Sequence, residues 1–191
     1  CINVHFSLLP HYRRASPVNW AIVNGGSETA VTTMFIEPTL DTGPILLQSQ
    51  TRINDRETAP ELMARLAETG AGLLSETLVQ IDTLEPRIQD ESLATFAPIL
   101  KKEDGIIDWT KSAASIECAI RGFQPWPNAH TTFNERGLTI WAAEQSTAVT
   151  KSNEPGSIVE AHGDQLLVQC GEQTALRLLE IQPEAKRRMS A

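Results

Sequence analysis

The sequence is poor in cysteine and lacks the motifs that hold a metal or a phosphate. Its three cysteines, Cys1, Cys118 and Cys170, are far apart and odd in number. They match neither a disulfide framework nor a Cys-x-x-Cys metal site, which favours a reducing compartment. The histidines are scattered, and there is no Gly-rich phosphate loop. A disulfide-stapled secreted domain is therefore excluded, and no metal is implied.

Long hydrophobic runs, internal repeats and low-complexity tracts are also lacking. No apolar run approaches the roughly 18 residues of a membrane span. We therefore expect no membrane partner, and the cysteine pattern, which favours a reducing compartment, leads us to expect a cytoplasmic protein. The first residues, "CINVHF", already have the pattern of a strand. We therefore expect that the N-terminal part of the first domain is missing, and the ending "KRRMSA" leaves a further C-terminal tail open.

Net charge is −8 and unevenly distributed. Residues 1–100 carry 6 basic and 12 acidic side chains, whereas residues 101–191 carry 10 basic and 12 acidic ones. An acidic chain is a poor non-specific binder of nucleic acid, because phosphate affinity comes from Lys and Arg. Local basic clusters can still contact RNA, although solvated surface charge is the favoured explanation for either cluster taken alone.

The first strand presents two different faces. Residues two apart share a face of a strand, so Asn3 and His5 point one way while Val4 and Phe6 point the other. A carboxamide beside an imidazole at the end of a strand indicates a polar site. On these residues alone, a surface histidine with an asparagine neighbour is the more common explanation.

The order of predicted elements is that of an α/β domain followed by a small β domain. Residues 1–83 read as strand, short helix, two strands and a long helix, the second half of an α/β domain. Residues 84–103 have weak periodicity and form a predicted linker. Residues 104–191 contain one helix and short strands with Gly turns, which predicts a small β-barrel.

Two finer predictions concern packing. Gly70 and Gly72 interrupt the apolar stripe of the long helix, which predicts close packing against a neighbour at both positions. Trp109 and Trp126 are expected in the core rather than as base-stacking residues, because aromatic side chains are usually buried.

Several longer stretches resemble a known family. "INVHFSLLPHYRRASPVNWAIVNG", followed by "ETAVTTMFIEPTLDTGPIL", resembles the formyltransferases that use 10-formyltetrahydrofolate. "FAPILKKEDGIIDW" and "IRGFQPWPNAHT" resemble the linker and C-terminal domain of the members that act on methionyl-tRNA. The resemblance implies the C-terminal half of a Rossmann-like parallel-sheet domain, followed by a small OB-like β-barrel.

The resemblance implies a catalytic trio of Asn3, His5 and Asp41. The chemistry moves a formyl group from a folate nitrogen to a primary amine, so it needs a donor for an oxyanion and a group that handles protons near pH 7. Asn3 donates without a change of charge, and His5 titrates in the right range. Asp41 orients the imidazole, although a turn-forming residue in "LDTG" is the simpler alternative.

The resemblance also implies that 10-formyltetrahydrofolate is the formyl donor and that a tetrapeptide contacts it. A pterin ring needs apolar walls and backbone polar groups. The implied folate-binding residues are Ser7, Leu8, Leu9 and Pro10. The alternative is a loop anchor in which Leu8 and Leu9 fill the core.

The sequence departs from the family at Arg14, where a glycine is usual. Glycine is favoured where φ is positive or where backbones touch. Two interpretations stay open. Either the loop takes another path, or Arg14 points outward toward a phosphate or the glutamate tail of the folate.

The acceptor implied by the resemblance is initiator methionyl-tRNA, bound by a monomer. The basic residues implied to contact its phosphates are Lys101, Lys102, Lys186, Arg187 and Arg188. An oligonucleotide-binding type of barrel suits an RNA partner. The alternatives are a nucleotide amino-sugar N-formyltransferase and a non-catalytic RNA-binding remnant.

Overall fold

A computed structural model describes residues 1–147 and 154–191. These residues form two compact units, one of residues 1–22 and 26–100 and one of residues 101–191 together with 23–25. The predicted linker, residues 84–103, crosses this boundary, since residues 84–100 belong to the first unit by their contacts.

Among the described residues, the first unit contains three strands and two α-helices, and the second contains six strands and one α-helix. In chain order the elements of the first unit are β1 (Ile2–His5), α1 (Pro17–Val23), β2 (Glu28–Phe35), β3 (Ile45–Arg52), α2 (Ala59–Gln80) and a 3₁₀ turn (Glu91–Leu93). Those of the second are a 3₁₀ turn (Lys102–Gly105), α3 (Ala113–Gly122), β4 (Ala129–Phe133), β5 (Arg136–Ser146), β6 (Ile158–His162), β7 (Gln165–Gln169), β8 (Ala175–Pro183) and β9 (Met189–Ser190).

The sheet of the first unit has the order β1-β2-β3, and both pairings are antiparallel. The expectation of a parallel sheet is therefore wrong for these strands. Only residues 36–44 join β2 to β3. That connection is too short for a parallel crossover, which needs a dozen or more residues.

Helix α2 covers one face of this sheet. It begins with a capping box in which the Thr58 N–H donates to Glu61 Oε2 over 2.9 Å, satisfying one free donor of the first turn. Leu62 and Leu66 are fully buried against the strands. Their spacing of four residues places both on one helix face.

The close packing predicted at Gly70 is confirmed, and that at Gly72 is wrong. A Cβ at Gly70 would lie 3.2 Å from both Phe6 Cε1 and Val4 Cγ1. A Cβ at Gly72 would meet nothing within 4 Å. Gly70 thus lets α2 approach β1 closely, while Gly72 faces away from the strands.

The sheet of the second unit is open. Its order is β4-β5-β8-β7-β6, with β9 paired to β8, and every pairing is antiparallel. The closed barrel that was expected is not formed by the described strands, because β4 and β6 stand at opposite ends. Closure requires the end strands to pair in a fixed stagger. A cavity of about 790 Å³ borders the sheet and is lined by residues such as Ile158, Leu166 and Met189.

Helix α3 supplies the core of the second unit. Ile116 and Ile120 pack with Ile140 of β5 and Leu176 of β8. Trp109 packs against this cluster and donates from Nε1 to Thr131 Oγ1 over 3.2 Å.

Trp126, also expected in the core, is 52% exposed, so that prediction is wrong. It lies beyond the end of α3, between Pro125 and Pro127, and belongs to no strand.

The packing of α2 predicts a large difference between two positions on that helix. Leu66→Ala should lower the free energy of unfolding by about 2–5 kcal/mol, because it removes a fully buried side chain and leaves a cavity. Met63→Ala, at a position that is 44% exposed, is the matched control and should change it by roughly 0.5 kcal/mol or less. Urea unfolding of the protein measures both. Equal losses would contradict the placement of this helix.

Candidate active site

The two faces of the sheet of the first unit carry different side chains from β1. Val4 and Phe6 pack toward the buried side chains of α2, which agrees with the alternation predicted for β1. Asn3 and His5 lie on the opposite face. In register, Asn3 is beside Met34 and His5 is beside Thr32. The imidazole therefore stands at the end of β1, beside Thr32 of β2.

His5 is buried, with 7% of its surface exposed, and both ring nitrogens have neighbours. Nε2 lies 3.5 Å from Asp41 Oδ2 and 3.4 Å from the carbonyl oxygen of Arg14. Nδ1 lies 3.0 Å from Ser7 Oγ. The structure thus brings His5 and Asp41 together, although they are far apart in the sequence.

The hydrogen bonds of Ser7 assign a proton to Nδ1 of His5. The Ser7 hydroxyl donates to the carbonyl oxygen of His11 over 2.6 Å. Having given its only proton away, the hydroxyl oxygen can only accept from the ring. Nε2 then faces two acceptors, Asp41 and the Arg14 carbonyl. A proton bound at Nε2 could therefore be shared with either of these two acceptors.

Burial and charge act in opposite directions on His5. Burial lowers the pKa of His5 and is the largest influence, whereas the Asp41 carboxylate and the Arg14 carbonyl raise it in part. The net pKa lies below the ordinary value of about 6.5. The imidazole is therefore neutral at pH 7 and can accept a proton.

Asp41 lies in the loop between β2 and β3, in a left-handed backbone conformation with φ of 59°. Its Oδ2 accepts a hydrogen bond of 2.7 Å from the Arg14 N–H. Its main-chain oxygen accepts one of 2.9 Å from Gln89. Hydrogen bonds thus hold both the carboxylate and the main chain of Asp41. The direction of its side chain toward His5 is therefore set by these contacts as well as by the turn.

Arg14 retains the left-handed conformation that a glycine would adopt, with φ of 90°. Its guanidinium carbon lies 4.6 Å from the centroid of the Phe96 ring. Of the two interpretations left open, the structure favours an outward side chain, resting on an aromatic ring. The main chain of Arg14 meanwhile contacts both His5 and Asp41.

The tetrapeptide predicted to bind folate is largely turned inward. Ser7 and Leu9 are buried, and Leu9 packs with Met34 and Ile45. Leu8 and Pro10 are half-buried and so remain accessible. The Ser7 hydroxyl is committed to His5 and His11. The alternative of a loop anchor therefore fits the Leu9 side chain.

The basic residues lie in two places within the second unit. Lys101 and Lys102 are exposed at the start of its first 3₁₀ turn. Lys186, Arg187 and Arg188 are exposed between β8 and β9. Arg188 is already engaged, since its Nε donates to Glu180 Oε2 over 2.6 Å and its guanidinium lies 4.9 Å from the Trp141 ring.

Sequence analysis missed the residues that support the site from the predicted linker. Gln89 and Arg13 are buried and bonded to each other, and Glu91 pairs with Arg13. Residues 84–103 have no periodicity that would single out Gln89. The doublet Arg13-Arg14 gives no signal either, because side chains in a loop do not alternate between two faces as they do in a strand.

In residues 1–147 and 154–191, no group of three or more His, Cys, Asp or Glu side chains is arranged to hold a metal ion. None of the described helices is long and apolar enough to cross a membrane.

Two family models match the chain. The model described as "Formyl transferase" matches residues 1–78, and the model described as "Formyl transferase, C-terminal domain" matches residues 99–191. Each compact unit thus contains a matched segment, and residues 79–98 lie outside both matches.

The chain is similar to curated proteins named methionyl-tRNA formyltransferase. It is 50% identical to the one from Solibacter usitatus, over 100% of this chain and 60% of that protein. It is 47% identical to the one from Caldanaerobacter subterraneus, over 99% of this chain and 61% of that protein. The chain thus spans about 60% of the length of these relatives.

Solved structures share the fold at low identity. An N-formyltransferase from Helicobacter canadensis, in complex with folinic acid and dTDP-3-aminofucose, has a TM-score of 0.75 and 21% identity, covering 93% of this chain and 65% of that one. A methionyl-tRNA formyltransferase from Clostridium thermocellum has a TM-score of 0.62 and 21% identity, covering 90% and 69%.

The environment of His5 predicts its titration. The NMR-monitored pKa of His5 should lie below 6.5, and Asp41→Asn should lower it further by removing the charge that favours the imidazolium. Because the unfolded chain binds a proton at a pH where folded His5 does not, stability should fall as pH drops through 6.5 toward the folded pKa. Asp55→Asn, at an exposed position, is the control. A higher His5 pKa in Asp41→Asn would contradict this account.

Proposed function

Because the chain belongs to the formyl transferase family, we propose that it transfers a formyl group from 10-formyltetrahydrofolate to the amino group of initiator methionyl-tRNA. The observation that carries the proposal is the 3.5 Å contact of His5 Nε2 with Asp41 Oδ2 on the face of β1 that also bears Asn3. The names of the relatives at 42–50% identity support the choice of acceptor.

The chemistry follows from the charge states of the trio. Neutral His5 accepts a proton at Nε2, the ring nitrogen that faces Asp41, as the amine becomes a nucleophile. The amine nitrogen forms a bond to the formyl carbon, the bond from that carbon to the folate nitrogen breaks, and the proton passes to that nitrogen. Asp41 and the Arg14 carbonyl stabilise the imidazolium during the transfer.

Asn3 is available for the developing oxyanion. In the described part of the chain its carboxamide has no hydrogen-bond partner, and it projects from the same face as His5. An amide NH₂ aimed at the formyl oxygen stabilises negative charge without losing a proton itself. Asn3 and His5 therefore have separate tasks in one step.

The formyl donor needs an apolar wall beside these polar groups. The accessible surfaces of Leu8 and Pro10 support a folate-binding role for the loop from Ser7 to Pro10. In this proposal Ser7 and Leu9 contribute by holding the loop, through the His5 hydrogen bond and the core contact with Met34.

The finer fold assignment is part of the proposal. Residues 1–83 would be the second half of a Rossmann-like formyltransferase domain, residues 84–103 a linker, and residues 104–191 an OB-like domain, here with an open sheet. The TM-scores against formyltransferase structures support it. We also predict that the protein is a monomer and that it is cytoplasmic. The three free thiols support the cytoplasmic location.

A nucleotide amino-sugar formyltransferase is the second candidate. Its specific support is the likeness to a sugar 3N-formyl transferase, with a TM-score of 0.72 at 19% identity. Transfer to methionylated initiator tRNA, compared with transfer to a dTDP-amino sugar, separates the two. Formylation of the sugar alone would overturn the choice of acceptor, and hydrolysis without transfer would overturn both.

The trio predicts large and separable losses of activity. Asn3→Ala, His5→Ala and Asp41→Ala should each lower kcat by about 100-fold or more, because oxyanion donors and general bases are worth 10²–10⁴. Folate binding should largely persist, since the three side chains act on the reacting centre. Thr42→Ala, next to Asp41 and bonded only within its loop, is the control. Wild-type turnover in Asp41→Ala would remove Asp41 from the mechanism.

The basic residues predict graded effects on RNA affinity. Lys101→Ala and Arg187→Ala should each reduce the salt slope of tRNA binding by about one, the value for one lost phosphate contact. Lys102→Ala and Lys186→Ala should do the same. Arg188→Ala should reduce it less, because Glu180 already neutralises that guanidinium. Binding measured between about 50 and 200 mM salt gives the slopes.

Lys111→Ala is the control for this series. Lys111 is equally exposed in the same unit but lies outside both clusters. A slope lowered as much by Lys111→Ala as by Arg187→Ala would mean that the clusters contribute only general charge.

A further inference from the structure

Gln89 uses all of its hydrogen-bonding capacity at the back of the active site. Its Nε2 donates to the main-chain oxygen of Asp41 over 2.9 Å and to that of Gly43 over 2.8 Å. Its Oε1 accepts from Arg13 Nε over 3.1 Å and from Arg13 Nη2 over 2.9 Å. Only 5% of the residue is exposed.

The orientation of this amide is unambiguous. Arginine can only donate, and main-chain carbonyls can only accept. The Oε1 atom must therefore face Arg13, and the NH₂ group must face Asp41 and Gly43. A buried amide with every donor and acceptor satisfied is a rigid element, because moving it would leave several polar groups unpaired.

Arg13 anchors Gln89 in turn. It is 2% exposed, and its Nη1 and Nη2 pair with the two carboxylate oxygens of Glu91 at 2.8 and 2.7 Å. Such a forked pair fixes the plane of the guanidinium. The plane of the guanidinium then fixes where Gln89 Oε1 lies.

The loop that Gln89 contacts has a strained residue and a closely packed one. Asp41 has a φ of 59°, a conformation that costs a non-glycine residue about 1 kcal/mol or more. Gly43 lies so close to β2 that a Cβ would be 1.7 Å from the Phe35 carbonyl oxygen. Gln89 binds the main-chain carbonyls on both sides of Thr42, those of Asp41 and Gly43. These two hydrogen bonds fix the backbone from which the Asp41 side chain extends.

The chain around Gln89 is tied to both loops of the site. Arg87 exchanges two main-chain hydrogen bonds of 2.8 Å with Ile45, which follows the Asp41 loop. Arg13 donates from its N–H to Thr95 over 2.9 Å and accepts from Ala97 over 2.7 Å. Residues 87–97 therefore pin the Asp41 loop on one side and the Arg13-Arg14 loop on the other.

We propose that Gln89 is a positioning residue of the active site, which sets the Asp41 carboxylate against His5 through the carbonyls of Asp41 and Gly43. The consequence for activity rests on the proposed function, whereas the consequence for His5 does not. Gln89 touches no reacting atom in this account. Its whole effect passes through Asp41, so it should vanish when Asp41 is already disabled.

The test combines Gln89→Met with Asp41→Asn in a double-mutant cycle. Methionine has a similar length but cannot donate to the two carbonyls. We expect Gln89→Met to lower kcat on the order of 10², as a misplaced catalytic group does. In the Asp41→Asn background the same change should have little further effect, because coupled residues are not additive. A full second loss in that background would make Gln89 merely structural and overturn the proposal.

A second readout does not depend on turnover. NMR titration of the substrate-free protein should give a lower His5 pKa in Gln89→Met, as in Asp41→Asn, because the carboxylate has moved away. Gln50→Met, at an exposed glutamine of β3, should leave both readouts unchanged. If the wild-type protein formylated no acceptor, the proposed function would fall and the His5 titration alone would decide the role of Gln89. An unchanged His5 pKa and kcat in folded Gln89→Met would overturn that role.

Gln89→Glu covers the case in which the methionine variant fails to fold. A glutamate still accepts from Arg13, so the buried guanidinium stays paired, but it offers no donor to the Asp41 and Gly43 carbonyls. We expect the same loss of kcat and the same loss of effect in Asp41→Asn. Wild-type kcat in Gln89→Glu would show that the two donated hydrogen bonds are not needed.

Discussion

The site depends on two residues with a left-handed backbone conformation, Asp41 and Arg14, which contact each other. Asp41 and Arg14 have φ values of 59° and 90°, and the Arg14 N–H donates to Asp41 Oδ2 over 2.7 Å. The Arg14 carbonyl, on the other side of the same Cα, lies 3.4 Å from His5 Nε2. One residue of backbone thus holds the carboxylate and faces the imidazole. That geometry fixes the carboxylate from the side of Arg14, and so contributes directly to the 3.5 Å separation of His5 and Asp41.

Burial turns this geometry into a proton acceptor. A histidine in water with a carboxylate beside it would gain affinity for protons, and the two charges would form an ordinary surface pair. Here burial is the larger influence and lowers the pKa of His5, while Asp41 only partly restores it. The result is a neutral imidazole whose protonated form has partners at both nitrogens. That combination suits a group that takes up a proton briefly and gives it back.

Local patterns predicted what local forces determine. The alternation along β1 separated Asn3 and His5 from Val4 and Phe6, and the apolar stripe and capping residues defined α2. The predicted strand direction was wrong. Strand pairing depends on connection length and tertiary contacts, and the residue pattern within a strand carries no information about either. The second sheet has the predicted strands but not the closed barrel, since closure is decided between strands distant in sequence. Gln89 was missed for the same reason, because its partners lie 46 to 76 residues away.

Arg14 contributes to the site through its main chain and not through its side chain. Both contacts of Arg14 with the trio are made by main-chain atoms, so any residue that tolerates a φ of 90° can supply them. Glycine adopts that conformation without strain, whereas arginine pays about 1–2 kcal/mol. Stacking of the guanidinium on Phe96 offsets part of this, by roughly 0.5–1 kcal/mol at an exposed site. A charged side chain at the rim of the site is thus compatible with an unchanged backbone beneath it. The departure from the usual glycine therefore alters the exposed surface beside His5 and Asp41, and leaves the hydrogen bonds around them as they are.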